Sequence, residues 1–393
     1  MAIPRLRAYQ GPAILSYGFR PFFFLAALFA GTSMLFWLPQ YYGVLTLPTL
    51  FAPVDWHLHE ILFGYLAAVL AGFLFTAVPN WTGRMPIQGN PLLFLVLLWI
   101  AGRLAVTFSV PLGWIVTMIL DLAFLTAIVF VIAKEVISGQ NWRNLKVLLP
   151  LVLFWIADIV FHLEVHFSGI SDLSRRLGMA TAIILIMLIG GRIIPSFTRN
   201  SLVRKSQGRL PIPFGKFDIF SILVSILALA GWVVVQEARW LGFFLLAAGI
   251  LQFARLARWA GDRTSGDFLV AILHVSYFFV PAGLILLGLS NFIPEDVPAV
   301  AGTHALGAGA IGSMTLSVMI RATLGHTGQA LKAGFGAKLI LSSIWIAALA
   351  RIVAALFPGQ MASFLELASF AWTFAFLGFV IFFGGLLFAP RAG

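Results

Sequence analysis

Apolar residues run along this chain in blocks of about twenty, the length a helix needs to cross a hydrocarbon layer. Polar residues collect between the blocks. Reading each block as a span predicts roughly twelve membrane helices: Ile14–Leu38, Trp56–Pro79, Pro91–Phe108, Val110–Lys134, Leu145–Phe167, Ser174–Ile194, Phe217–Gln236, Arg239–Ala260, Asp267–Ser290, Pro298–Ala322, Phe335–Phe357 and Met361–Phe388. The expected fold is an all-α polytopic integral membrane helix bundle. A single transmembrane domain over 1–393 is expected, with the first six helices in 1–191, a basic loop over 192–216 and the last six helices in 217–393.

A second pattern lies over the first, because ionisable residues interrupt several apolar blocks. Such residues are costly in a bilayer and read as functional by default. The second block opens with Asp55-Trp-His-Leu-His-Glu60, where Pro53 is expected to start the helix and Asp55 to cap it. Helical residues two apart point roughly 200° apart, so His57 and His59 do not serve one ion from a straight helix. Glu60, three residues after His57, is expected to orient that ring as an acceptor. In the fifth block Trp155, Asp158, His162 and His166 recur at helical spacing and form one polar stripe, with Asp158 expected to bond His162. His304 stands about two turns into the tenth block. In an alternating topology these five histidines share one depth, in the outer part of the membrane.

Other polar residues have quieter expectations. His274, with Tyr277 on its face, lies toward the inner side, and His326 is a solvated residue at the inner surface or, with His274, part of a second site. Arg103 is expected to pair with Asp121, and Arg351 with Glu366, across two hairpins. Gly302, Gly307, Gly309 and Gly312 allow close helix approach or a flat ligand.

Composition sharpens this picture. The chain is 61% hydrophobic and 10% charged, with a mean hydropathy of +1.01, against about 25% charged residues in soluble domains. Cysteine is absent, which excludes thiolate-bound iron–sulfur clusters, Cys-ligated haem and covalent c-type attachment. The net charge of +11 reflects topology, with no nucleic-acid partner expected. One face receives Arg5, Arg7, Arg20, Arg84, Lys134, Arg143, Lys146, Arg192, Arg199, Arg204, Lys205, Arg209, Lys216, Arg255, Arg258, Arg263, Arg321, Lys332, Lys338 and Arg391, which is 20 of the 25 Lys and Arg. By the positive-inside rule that face, with both termini, is cytoplasmic. The short basic segment Met1–Gln10 carries no cleavage signature and is read as retained.

Several stretches together resemble one family. They are Trp56-His-Leu-His-Glu60, Ala71-Gly-Phe-Leu-Phe-Thr-Ala-Val-Pro-Asn-Trp-Thr-Gly-Arg84, Gly190-Gly-Arg-Ile-Ile-Pro-Ser-Phe-Thr-Arg-Asn200, His304-Ala-Leu-Gly-Ala-Gly-Ala-Ile-Gly-Ser-Met-Thr-Leu316 and Arg321-Ala-Thr-Leu-Gly-His-Thr-Gly328. This set is similar to the NnrS family along nearly the whole chain. The resemblance implies a bacterial inner-membrane protein that contains haem b and copper and is linked to nitric oxide and nitrosative stress. A short likeness among Pro79-Asn-Trp-Thr-Gly-Arg84, Pro195-Ser-Phe-Thr-Arg199 and the Arg321 to Thr323 exit is compatible with three repeats of four helices.

The residues and the resemblance together give a candidate set. His59, His166 and His304 are expected metal ligands, His57, His162 and His274 are further cofactor ligands, and Glu60, Asp158 and Tyr277 orient them. Which histidine holds which metal stays open at this point, as do turnover of nitric oxide and the electron donor. Two other functions use the same features: an ion- or proton-coupled transporter, and a metal or haem assembly factor for a respiratory enzyme.

Overall fold

The computed structural model describes residues 9–392 except Arg84, Asn141, Arg143, Asn144, residues 204–206 and Gln236. Of the basic residues assigned to the inner face, Arg5, Arg7, Arg84, Arg143, Arg204 and Lys205 therefore lie outside the described residues, as does most of Met1–Gln10. Among the described residues twelve helices are long and apolar enough to cross a membrane: α1 Phe19–Tyr41, α2 Pro53–Pro79, α3 Asn90–Thr107, α4 Trp114–Ser138, α5 Lys146–Ser168, α6 Leu173–Val203, α7 Lys216–Val234, α8 Arg239–Arg263, α9 Phe268–Ser290, α10 Ala299–His326, α11 Phe335–Leu356 and α12 Pro358–Phe388. No strand occurs among them. The chain is an all-α, multi-pass membrane protein.

Two helix ends differ from expectation for identifiable reasons. The first helix starts at Phe19 because residues Ala13–Leu15 form a separate short turn. The sixth was expected to stop at Ile194, before Pro195, yet α6 continues to Val203. An internal proline removes one backbone bond without ending a helix whose neighbours hold it, a common event in membrane spans. α1, α5 and α9 carry Pro39, Pro150 and Pro281 in the same way. The basic loop expected over 192–216 is correspondingly shorter, since Arg192 and Arg199 lie on α6.

The helices form two compact units. The first comprises Met1–Gly178, Ala322–Ala330 and Phe376–Gly393, and the second comprises Met179–Arg321 and Leu331–Ala375. Lipid tails are as apolar as leucine, so helix pairing in each unit relies on close packing at small residues. In the first unit a Cβ on Gly31 would stand 2.8 Å from Leu377, and one on Gly102 would stand 3.0 Å from Asp121 Oδ1. Arg20 of α1 donates through Nη1 to the carbonyls of Leu387 (2.8 Å) and Ala389 (2.7 Å), tying down the end of α12. In the second unit a Cβ on Gly302 would meet Leu287 at 2.7 Å, on Gly309 would meet Phe279 at 2.4 Å and on Gly312 would meet Trp372 at 2.6 Å. These glycines serve close packing. Gly307 differs, with only Met179 Cε at 3.4 Å.

Neither composition nor spacing revealed one local feature. α2 and α10 each contain a π-helical stretch, Glu60–Leu66 and Ala305–Gly312, and each stretch follows directly on a histidine, His59 or His304. Such wide turns are rare and concentrate at functional sites.

Candidate metal centre

The α2 helix begins at Pro53 without a side-chain cap. Asp55 was expected to be that cap. It sits two residues inside the helix and instead accepts from Ser171 N at 3.2 Å and from the Ser171 hydroxyl. The wide turn then redirects the next residues. A π turn needs more residues per revolution than an α turn, and here the adjacent His59 and Glu60 both face protein, each with no exposed surface. The Gly64 carbonyl within that turn accepts from Trp99 Nε1 at 2.9 Å, which clips α3 to it.

His59 is the centre of a four-residue cluster drawn from α2, α4 and α5. Its Nε2 lies 3.0 Å from Asp121 Oδ2 and 3.2 Å from Asp158 Oδ1. His162 Nε2 lies 2.9 Å from the same Asp121 Oδ2. One ligand atom from each of His59, Asp121, Asp158 and His162 falls within 4.8 Å of all the others. Distance and direction disagree in a telling way. His59 Nε2 and both Asp158 oxygens are buried and make no hydrogen bond, although nitrogen and oxygen are about as close as bonded partners. Buried carboxylates are almost always hydrogen-bonded. Within the cluster His162 and Asp121 do hydrogen-bond, whereas His59 Nε2 and the Asp158 oxygens converge without doing so, an arrangement that a shared metal ion would satisfy.

The surroundings fix these groups. Arg103 of α3 pairs with both Glu60 and Asp121 Oδ1, which leaves Asp121 Oδ2 facing the histidines. The expected Arg103–Asp121 pair is thus present, with Glu60 as its third member. Space for it comes from Gly64, where a Cβ would lie 2.5 Å from Glu60 Oε2 and 2.6 Å from Arg103 Nη1. Metal-bound histidines usually donate their second nitrogen to an acceptor, but His59 Nδ1 has no such bond. Its ring is held by packing: Phe51 stacks on it at 5.3 Å and 15°, while Phe161 and Phe63 approach at 5.1 and 5.5 Å. The result is a buried cluster of two imidazoles and two carboxylates whose ligand atoms converge.

The other predicted residues fall elsewhere. His57 is half-buried and stacks on Trp37 at 4.2 Å. His166 is exposed one turn beyond His162 and stacks on Trp114 at 4.0 Å and 12°. Glu60 faces Arg103 rather than His57, and Asp158 faces His59 rather than bonding His162. Glu164, off the stripe, accepts from the backbone of Asp172, Leu173 and Ser174 and so caps α6. In the second unit His304 is half-buried and its Nε2 accepts from Arg351. Arg351 was expected to pair with Glu366, which is exposed and makes no ion pair among the described residues. His274 is buried, with Nε2 2.8 Å from Thr198 Oγ1. Tyr277 does not meet His274; its hydroxyl donates to Gln252 Oε1 (2.7 Å) and accepts from Arg255 Nη1 (2.9 Å). His326 is exposed, with its ring 5.3 Å from that of Phe19.

Sequence reasoning missed two things here. Asp121 was read only as a partner of Arg103, and the signal that it does more was its place as the single acid in the middle of an apolar span. Arg255 was placed with the inner-face charges but is fully buried, with Nε donating to Asp218 Oδ1 at 3.0 Å and Nη1 to Met187 O at 3.1 Å. Helices far apart in sequence make that network, and nothing local announces it.

Compared with known proteins, the chain matches the family model described as NnrS protein over residues 13–391. No curated protein and no solved structure matches it.

Proposed function

Because this chain belongs to the NnrS family, we propose that it is a haem- and copper-containing protein of the bacterial inner membrane that handles nitric oxide, with the His59, His162, Asp121 and Asp158 cluster holding its non-haem metal ion. The observation that carries this reading is the unbonded convergence of His59 Nε2 and the Asp158 carboxylate in a buried place. Imidazole and carboxylate donors suit Cu(II). Haem is disfavoured at this point, because carboxylate oxygens crowd His59 Nε2 at 3.0 and 3.2 Å. The haem of this reading would be held by histidines outside the cluster, drawn from His57, His166, His274 and His304.

Bound copper would supply a redox-active coordination point for a small neutral gas. The chain's own residues do the rest. Phe51, Phe63 and Phe161 keep water from the point, which favours an apolar diatomic molecule arriving through lipid over a hydrated anion. Arg103 holds Asp121 so that one carboxylate oxygen faces inward. The distribution of basic residues supports cytoplasmic termini, with the cluster toward the outer leaflet.

Iron and copper counts with an optical spectrum of the purified protein test this. The expected result is a Soret band together with copper that is lost from His59→Ala and His162→Ala while the Soret band persists. Folded protein without copper or haem would contradict the reading and leave the cluster as a proton relay, the function that a transporter would need.

A further inference from the structure

We infer that the cluster selects a first-row transition-metal dication and holds Cu(I), Mg²⁺ and Ca²⁺ weakly, so that copper bound there is stabilised as Cu(II). This rests on the reading of the cluster as a metal centre and adds which ion and which charge state it takes.

Three independent features carry it. The first is charge. In the form in which they ligate, with carboxylates ionised and imidazoles neutral, Glu60, Asp121 and Asp158 carry three negative charges against one positive charge on Arg103, all in mutual contact or bridged by His59, for a formal sum of −2. Every one of these groups is at least nine-tenths buried. In low dielectric an uncompensated buried charge is strongly unfavourable. A dication brings the sum to zero; a monovalent ion leaves it negative.

The second feature is the donor set. Two imidazoles and two carboxylates are borderline and hard ligands, whereas Cu(I) favours thiolate and thioether. The chain has no cysteine. Conversely, the two nitrogen donors count against Mg²⁺ and Ca²⁺, which take oxygen.

The third is size. The closest ligand-to-ligand separations are 2.9, 3.0 and 3.2 Å. Bonds of about 2.0–2.1 Å to nitrogen and oxygen, usual for Zn²⁺, span a tetrahedron whose edges are about 3.3 Å. Ca²⁺, which takes about six to eight oxygens, would need a more populous site than these four residues offer.

The experiment is a metal titration of the purified, demetallated full-length protein in lipid nanodiscs. Zn²⁺, Cu²⁺, Mg²⁺ and Ca²⁺ are added singly, and Cu(I) is added without oxygen against a competing Cu(I) chelator. One Zn²⁺ or Cu²⁺ per chain should bind, and Cu(I) should bind at least about tenfold more weakly than Cu(II), equivalent to about 1.4 kcal/mol. Asp158→Asn raises the local charge by one and should narrow the gap between Cu(II) and Cu(I), whereas Asp158→Glu should retain it; circular dichroism confirms that both variants are folded. Cu(I) bound as tightly as Cu(II) at the same cluster would overturn this inference and leave the metal centre standing. Saturable Ca²⁺ or Mg²⁺ binding there would overturn it too, and no metal binding at all would remove both.

Discussion

At the scale of single residues, the structure separates histidines that look alike in the sequence. His162 and His166 share a stripe at a four-residue spacing, yet His162 points into the cluster while His166 stacks on Trp114 in the open. His162→Ala and His59→Ala are therefore expected to abolish metal binding at the cluster, and His166→Ala to leave that binding within twofold of wild type, as read by metal analysis. Glu60 and Arg103 touch the ligands without being ligands. Glu60→Gln and Arg103→Gln should weaken metal affinity by about 10- to 100-fold, the usual effect of removing a group that orients a ligand. Loss of folding in Arg103→Gln is the competing outcome, since it would leave Glu60 and Asp121 buried without their cation; Glu60→Gln, which keeps the Arg103–Asp121 pair, then carries the test. The stripe Asp158, His162, His166 was legible because helical spacing is a local property. The partner of each residue was not, because His59, Asp121 and Asp158 come from three helices whose rotation is set by packing.

At the scale of elements, apolar length was enough to locate all twelve spans, and Pro53 correctly marked the start of α2. Pro195 misled, since a proline interrupts one hydrogen bond and tertiary support decides whether the helix goes on. The two π stretches were out of reach, because a wide turn is a response to neighbours: Glu60–Leu66 is clipped by Trp99 of α3 and crossed by Arg103. Gly64 makes that crossing feasible. Gly64→Ala would place a methyl 2.5 Å from Glu60 Oε2, and we expect about 1–3 kcal/mol of destabilisation of the kind overpacking brings, seen as a lower Tm in detergent together with weaker metal binding. Gly307→Ala is the control, with only the flexible end of Met179 nearby, and it should leave Tm unchanged. Equal effects at the two glycines would argue against a special role for the α2 turn.

At the scale of the whole molecule, composition announced a membrane protein and short motifs carried a family resemblance that the match over residues 13–391 bears out. The polar chemistry of each unit came only with three-dimensional structure, since Arg255 with Asp218 and Arg103 with Glu60 are pairs of residues many positions apart. The distribution of basic residues predicts the orientation: a reporter fused after Gly393 should be active in the cytoplasm, and one inserted between Tyr41 and Thr49 should be active outside. The reverse orientation would move the cluster to the inner half of the bilayer while leaving its ligands as they are. The central claim is that one metal ion sits among His59, Asp121, Asp158 and His162, and the most direct measurement is elemental analysis of purified protein alongside the His59→Ala, His162→Ala double variant, with folding checked on both. One non-haem ion per wild-type chain and none in the folded double variant are expected. Equal metal content in the two proteins would contradict it.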